Sequence, residues 1–378
     1  MEQNPKDYDV ILPDKYFLII DNKNNRKFVT IGMKKANLSK KNINLSFFEG
    51  KRLNTFWDVT DASNYIQITS KEFNSEEHFE DEEIEYSNDK ILLASNKEIY
   101  QSEKSQKLTD EEIRELKSKV TNKDELIKAI AENNTSMDKR TILSQEKYIK
   151  KKTQKYKNLI WITNTHLFNI VETFFIFDSK SINYLRMDSI STMLVNSNFL
   201  PNTHTLIYEE TNNILTHAYA MRTQFGSKVY HLYKDRISNK NLNLFNFSSF
   251  QKAIITYLEY KQITDKTSFG YEMFNKKFNL FFGNLVICVK NDEEIPKIFS
   301  ETFDYLKYSG NLIIFAKDIE ILVTIDKYLT DNKLGIDTKI VETIAREYQV
   351  LPLRTHPTMS HKGFSGYVLT SYKTVPLE

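Results

Sequence analysis

Residues His204 to Ala220, HTLIYEETNNILTHAYA, restrict the fold of this chain more than any other stretch. Thr205–Leu206–Ile207–Tyr208 is a short apolar run of the kind that fills a buried parallel strand. Ile214, Leu215, Ala218 and Met221 then recur at helical spacing. A strand, a short turn and a helix open a βαβ unit. In a doubly wound domain that first turn is where a nucleotide cofactor rests on the helix N-terminus, and its backbone needs glycines to adopt positive φ and approach the ligand. Here the turn is Glu209–Glu210–Thr211–Asn212–Asn213, without glycine. Adjacent carboxylates can hold a ribose, but bulk follows where glycine is needed. The expectation is a cofactor fold whose cofactor loop has been lost.

The glycine census extends the point. The chain has nine, and only Gly363 and Gly366 lie close together. No GxGxxG, GxGxG, Walker or GxSxG sequence can be written. The seven histidines lack HExxH spacing, and a single cysteine, Cys288, excludes a thiolate zinc cluster and an internal disulfide. Cys288 sits in an apolar run, which suits a buried, inert thiol in a reducing compartment. Acids after the strand at Asn284–Val289, namely Asp292, Glu293 and Glu294, fit a helix N-terminus better than catalysis.

Two domains are expected at 378 residues. Residues 1–104 read as a small β-barrel or sandwich, from apolar runs at Asp9–Leu12, Tyr16–Ile20, Lys27–Ile31, Leu45–Phe48, Thr55–Val59 and Tyr65–Ile68. Ser75 to Lys90 is an acidic block, read as a solvated loop, with an autoinhibitory mimic of phosphate as the functional alternative. Residues 105–157 read as a helical, basic connector. Thr109 with Glu112 forms a capping box, and a second helix starts near Asn122. From Ser144 to Lys157, six lysines accompany one carboxylate, Glu146. Lys147, Lys150, Lys151 and Lys155 line one side of a helix, interleaved with Tyr148 and Tyr156. A solvated face ordinarily mixes signs, because like charges at i,i+4 repel. An unmixed stripe with rings suits contacts to phosphate and base.

Residues 158–378 alternate strands and helices, which argues a mostly parallel doubly wound sheet. Strands are expected at Thr205–Tyr208, Lys228–Tyr233, Asn284–Val289, Leu312–Ala316, Thr338–Leu351 and Gly366–Thr370. Helices are expected at Leu167–Phe175, through Tyr184–Leu194, at Ile214–Met221, within Leu244–Leu258, at Ile295–Tyr308 and at Ile319–Leu329. Asp235, after the second of these strands, is a weak ribose-binding candidate. The net charge of +2 excludes nothing about partners, so local clusters decide. No run reaches ~18 apolar residues, and the first ten lack signal-peptide character.

Near the C-terminus, Arg346 to Pro357, REYQVLPLRTHP, holds Arg354–Thr355–His356 between prolines, a rigid presentation suited to phosphate or base. With SQEKYIKKKTQKY, QKLTDEEIRELK and LRMDSISTML, this stretch resembles the non-catalytic subunit of the eukaryotic tRNA adenine-58 N1-methyltransferase. The order and spacing agree from about Gln106 onward. The resemblance implies an N-terminal β-barrel and a C-terminal Rossmann-like methyltransferase domain that binds no S-adenosylmethionine. It implies a catalytic sister subunit of related fold that holds the methyl donor, a nuclear heterotetramer of two pairs, bound tRNA and no membrane. The residues expected at tRNA are Lys104, Lys107, Lys147, Lys150, Lys151, Lys152, Lys155, Arg186, Arg354 and His356, with no catalytic or metal-binding residue. The competing readings are an active methyltransferase with an atypical loop and a docking module without RNA contact.

Overall fold

The computed structural model describes residues 10–39, 41–60, 64–74, 106–119, 123–135, 137, 142–234, 243–351, 354–359 and 363–375. The chain forms two compact units, 1–164 and 165–378.

In the first unit, strands β1 (Phe17–Asp21), β2 (Arg26–Val29), β5 (Thr55–Val59), β6 (Tyr65–Ile68) and β7 (Leu159–Thr163) form an antiparallel sheet of order β2-β1-β7-β5-β6. A hairpin, β3 (Lys35–Leu38) and β4 (Lys41–Asn44), stands beside it. Phe17, Ile19, Trp57, Ile160 and Ile162 pack with Ala36, Leu38, Ile43 and Phe48 in one core. Strand β7, which the sequence reading counted with the second domain, pairs with β1 and β5 at the centre of this sheet. Leu45–Phe48 is a 3-10 turn and not a strand: Leu45 and Phe48 are buried on one side, as that tight turn allows. Helices α1 (Ser70–Asn74), α2 (Asp110–Lys119), α3 (Lys123–Glu132) and α4 (Ile142–Tyr156) complete the unit. The capping box forms: Thr109 N donates to Glu112 Oε2 at 2.7 Å, and Glu112 N donates to Thr109 Oγ1 at 3.3 Å. The acidic block at 75–90 lies outside the described residues.

The second unit carries helices α5 (Leu167–Asp178) and α6 (Met187–Val195), and then the sheet begins with β8 (Thr205–Glu209), α7 (Ile214–Arg222) and β9 (Val229–Tyr233). It continues with α8 (Ser249–Ile254), β10 (Ile255–Glu259), α9 (Lys261–Thr264), α10 (Phe269–Phe278), β11 (Phe282–Cys288), α11 (Ile295–Thr302), β12 (Leu306–Ala316), α12 (Ile319–Asp331) and β13 (Gly335–Glu342). A small hairpin, β14 (Tyr348–Leu351) and β15 (Arg354–Pro357), precedes β16 (Tyr367–Lys373). The seven-stranded order is β10-β9-β8-β11-β12-β16-β13. The first five strands are parallel, and β16 runs antiparallel to both neighbours. The order reverses between β8 and β11, the crevice where doubly wound sheets bind ligands.

Three sequence expectations are corrected. The stretch Leu244–Leu258 was expected to end in a helix; β10 follows α8 directly and is paired to β9. The helix expected to reach Tyr308 ends at Thr302, and β12 already begins at Leu306. Thr338–Leu351 splits into β13 in the sheet and β14 in the hairpin. Among the described residues no helix is long and apolar enough to cross a membrane.

Candidate functional site

At the carboxyl end of β8 the first donors of α7 are met by the chain's own carboxylate. Asn212 and Asn213 adopt φ of 57° and 63°, the left-handed conformation that glycine gives in cofactor turns. The backbone path therefore survives without glycine. Glu209, 5% exposed, folds its carboxylate onto the first turn of α7. Oε1 accepts from Thr216 N at 2.5 Å and Oε2 from Leu215 N at 3.2 Å; the hydroxyls of Thr216 and Thr211 donate to the same two oxygens. An anion at a helix N-terminus is stabilised by unsatisfied N–H groups and the macrodipole, so these donors are satisfied by the chain's own carboxylate.

The network continues to β9. The Thr216 hydroxyl gives its proton to Glu209, so His231 Nδ1–H donates to Thr216 Oγ1 at 2.7 Å. Burial holds the His231 imidazole below its ordinary range against the pull of Glu209, which keeps it neutral. His217 Nδ1–H donates to Asn213 O at 2.5 Å, and its ring stacks on Phe245 at 4.3 Å. Burial likewise depresses the His217 pKa. Glu210, the second acid of the turn, accepts from Lys290 N at 3.0 Å. Both carboxylates allowed for a ribose thus hold backbone N–H groups.

The acids after β11 are also structural. Asp292 Oδ2 accepts from Lys317 N at 2.7 Å and Asp318 N at 2.9 Å, fastening β11 to the entry of α12; Glu294 pairs with Lys234 at 3.1 Å. Burial pushes the Cys288 thiol well up, which fits an inert side chain. Asp235 lies outside the described residues. No group of three or more His, Cys, Asp or Glu among the described residues is placed to hold a metal.

The basic stripe is a helix, α4. Lys150 and Lys151 are exposed. Lys152 Nζ lies 5.0 Å from the Tyr148 ring centroid, and Lys155 and Lys117 lie 5.4 Å and 4.9 Å from that of Tyr156. Among the described residues none of Lys150, Lys151, Lys152 and Lys155 pairs with a carboxylate, whereas Lys157 pairs with Asp124 at 2.6 Å. Lys107 is exposed, with its backbone N–H on Asn133 O. Lys104 and the side chains of Lys147 and Arg354 lie outside the described residues; the Arg354 backbone is in β15. His356 is half-buried on the same hairpin, its Nδ1 2.9 Å from Pro357 O.

Arg186 departs from its expected role at tRNA. It is 4% exposed. Its guanidinium forks onto Asp188 at 3.0 and 2.6 Å and reaches Gly363 O at 2.5 Å and Thr343 O at 2.7 Å. It ties α6 to two segments far along the chain, and these bonds engage four of its five N–H donors. Burial pushes the Asp188 carboxyl up, but the Arg186 hydrogen bond and charge overcome it and hold it below its ordinary value.

A parallel sheet with a crossover turn at its reversal point and one antiparallel strand inserted near its edge defines a Rossmann-like methyltransferase fold. Two solved structures share it. A S-adenosylmethionine-dependent O-methyltransferase of Thermotoga maritima superposes with a TM-score of 0.58 at 11% identity, covering 100% of both chains. The tRNA (m1A58) methyltransferase TrmI of Aquifex aeolicus gives 0.51 at 10% identity, covering 97% of this chain and 99% of that one. Residues 10–277 match the Gcd10p family, and the chain belongs to it. It is 27% identical to the tRNA (adenine(58)-N(1))-methyltransferase non-catalytic subunit trm6 of Dictyostelium discoideum, over 97% of this chain and 80% of the relative.

Proposed function

We propose that this chain is the non-catalytic subunit of a tRNA (adenine-58 N1) methyltransferase, holding tRNA and supporting a catalytic sister of related fold. The observation that carries the reading is the Glu209 carboxylate on the N-terminal donors of α7, in a chain whose named relative is a non-catalytic subunit. The turn that would receive a methyl donor is filled by the protein itself, so this chain binds no S-adenosylmethionine and the sister subunit does. The first sheet and its hairpin serve as a small β-barrel platform, and α4 supplies lysines to the tRNA backbone, with the β14–β15 hairpin contributing Arg354 and His356. Lysine suits phosphates as a point charge and carries little base identity.

A degenerate copy kept beside an active one is accounted for by assembly, and two such pairs form a nuclear heterotetramer. An obligate pairing surface buries upwards of ~2,000 Å². Isothermal titration with S-adenosylmethionine tests the reading. One donor bound per catalytic subunit, and none by this chain alone, is the expected result. Micromolar binding to the isolated chain favours the active-enzyme alternative and overturns the proposal.

A further inference from the structure

The edge of the large sheet opposite the crevice collects cations around stacked rings. His204 immediately precedes β8, Lys228 precedes β9, Phe281 precedes β11, and Lys307 is the second residue of β12. Since β9, β8, β11 and β12 are consecutive neighbours and parallel, these four residues stand side by side where the strands begin. The His204 ring stacks on Phe281 with centroids 4.5 Å apart and planes 7° apart. Its Nδ1 accepts from Lys228 N at 3.1 Å, which fixes the ring and leaves the proton on Nε2. Gly283 lies beside the same group: a Cβ there would clash with the Thr203 methyl group at 2.3 Å and would stand in ordinary contact with Lys307 Nζ at 3.5 Å. Lys277 Nζ sits 5.0 Å from the centroid of Phe278, which in turn packs on Phe281. Phe225 is 88% exposed in the turn that leads into β9.

Among the described residues Lys228, Lys277 and Lys307 pair with no carboxylate. The nearby acid, Asp304, acts on Tyr305 and Lys373. Burial, then Lys228 and Lys307, hold the His204 imidazole below its ordinary range, so at neutral pH the stacked ring is uncharged between two ammonium groups. Unmatched cations beside ring faces are the recurring chemistry of single-stranded nucleic-acid contact.

We propose that this strand-entry edge is a second RNA site, in which Lys228 and Lys307 hold backbone phosphate, Lys277 flanks them, and His204, Phe281 and Phe225 receive a ribose or base. The inference rests on the tRNA-holding reading and adds a site on the second unit to the lysines of α4. The test uses the full chain assembled with its catalytic partner and an unmodified tRNA transcript, titrated across salt. Two lost contacts flatten the log–log salt slope by about 1.4, at ~0.7 per contact on a single strand, and weaken binding roughly tenfold or more at ordinary ionic strength. K228Q/K307Q, which removes both charges while keeping polar side chains, is expected to show both effects, and RNA is expected to raise the His204 pKa in NMR titrations. Wild-type affinity and slope in K228Q/K307Q, with K150A/K151A/K152A impaired, overturn the edge site alone. If K228Q/K307Q instead fails to assemble with the partner while RNA binding by the chain is unchanged, the edge is a protein contact and the proposal falls. Should neither variant differ from wild type, and the partner bind tRNA equally well without this chain, the tRNA-holding reading falls as well.

Discussion

Replacing Glu209 tests how firmly its carboxylate holds the first turn of α7. In Glu209→Ala the backbone N–H groups of Leu215 and Thr216 lose their acceptor inside a buried turn. An unsatisfied buried donor costs about 1–3 kcal/mol, so two cost about 2–6. The hydroxyls of Thr211 and Thr216 rotate toward other acceptors and add little. Removing a carboxylate from a helix N-terminus forfeits a further ~1 kcal/mol, while relieving the desolvation of a buried charge offsets part of the sum. The net expectation is about 3–5 kcal/mol. Glu209→Gln keeps the shape and one acceptor oxygen but turns an amide donor toward other donors, for about 1–3 kcal/mol. Two units need not unfold as one, so the local readout is hydrogen exchange at Leu215 and Thr216, with the urea midpoint of the second unit alongside. Protection at both amides is expected to fall in the order wild type, Gln, Ala. Both variants within ~0.5 kcal/mol of wild type, with those amides still protected, would refute the reasoning.

Arg186→Ala strips the guanidinium from Asp188 and from two carbonyls, so a loss of about 3–5 kcal/mol is expected in denaturant melts, with the salt slope of tRNA binding unchanged; Arg186→Lys, lacking the fork, recovers little of it. Stability of the second unit is expected to decline on acidification below about the ordinary histidine value of 6.5: His204, His217 and His231 are all depressed in the folded chain, so the unfolded state takes up protons first. Melts at several pH values check this, and His231→Asn should flatten the decline. Lys150, Lys151 and Lys152 changed together to alanine should weaken tRNA binding and flatten its salt slope while shifting folding by under ~0.5 kcal/mol per residue, read by filter binding and thermal melts.

What the sequence disclosed follows from how locally each signal is encoded. Strands β8 and β9 are apolar runs bounded by polar turns and fall where those runs predict; β11 overlaps its predicted run and starts two residues earlier, because Leu280–Phe281 before it gives no polar boundary. Strand β10 is hidden because Ile254 passes from α8 straight into Ile255, with no turn residue between them. The β3–β4 hairpin reads as polar, and its inward positions reduce to Ala36, Leu38 and Ile43. At the crevice the sequence showed that glycine is missing but not what replaces it: asparagine supplies the left-handed turn, and Glu209, a residue the sequence allowed as a ligand-holder, is taken up by the chain's own N–H groups. Arg186 illustrates the rest. Its partners Thr343 and Gly363 lie more than 150 residues away in sequence, a pairing that only the folded chain brings together.

The position of β16 sets an order of events during synthesis. It lies between β12 and β13, which precede it in the chain and do not pair with each other. Until Tyr367–Lys373 leaves the ribosome, the nascent sheet ends at β12 and β13 has no ladder to join. Its arrival converts an open flank of five parallel strands into a seven-stranded sheet, and the Lys373 ammonium then closes on the carbonyls of Phe303 and Leu306, both at 2.8 Å. For that interval the unpaired β12 edge is a ready template for any other strand, so a chaperone or an already folded sister subunit has most to contribute just before the last strand threads into place.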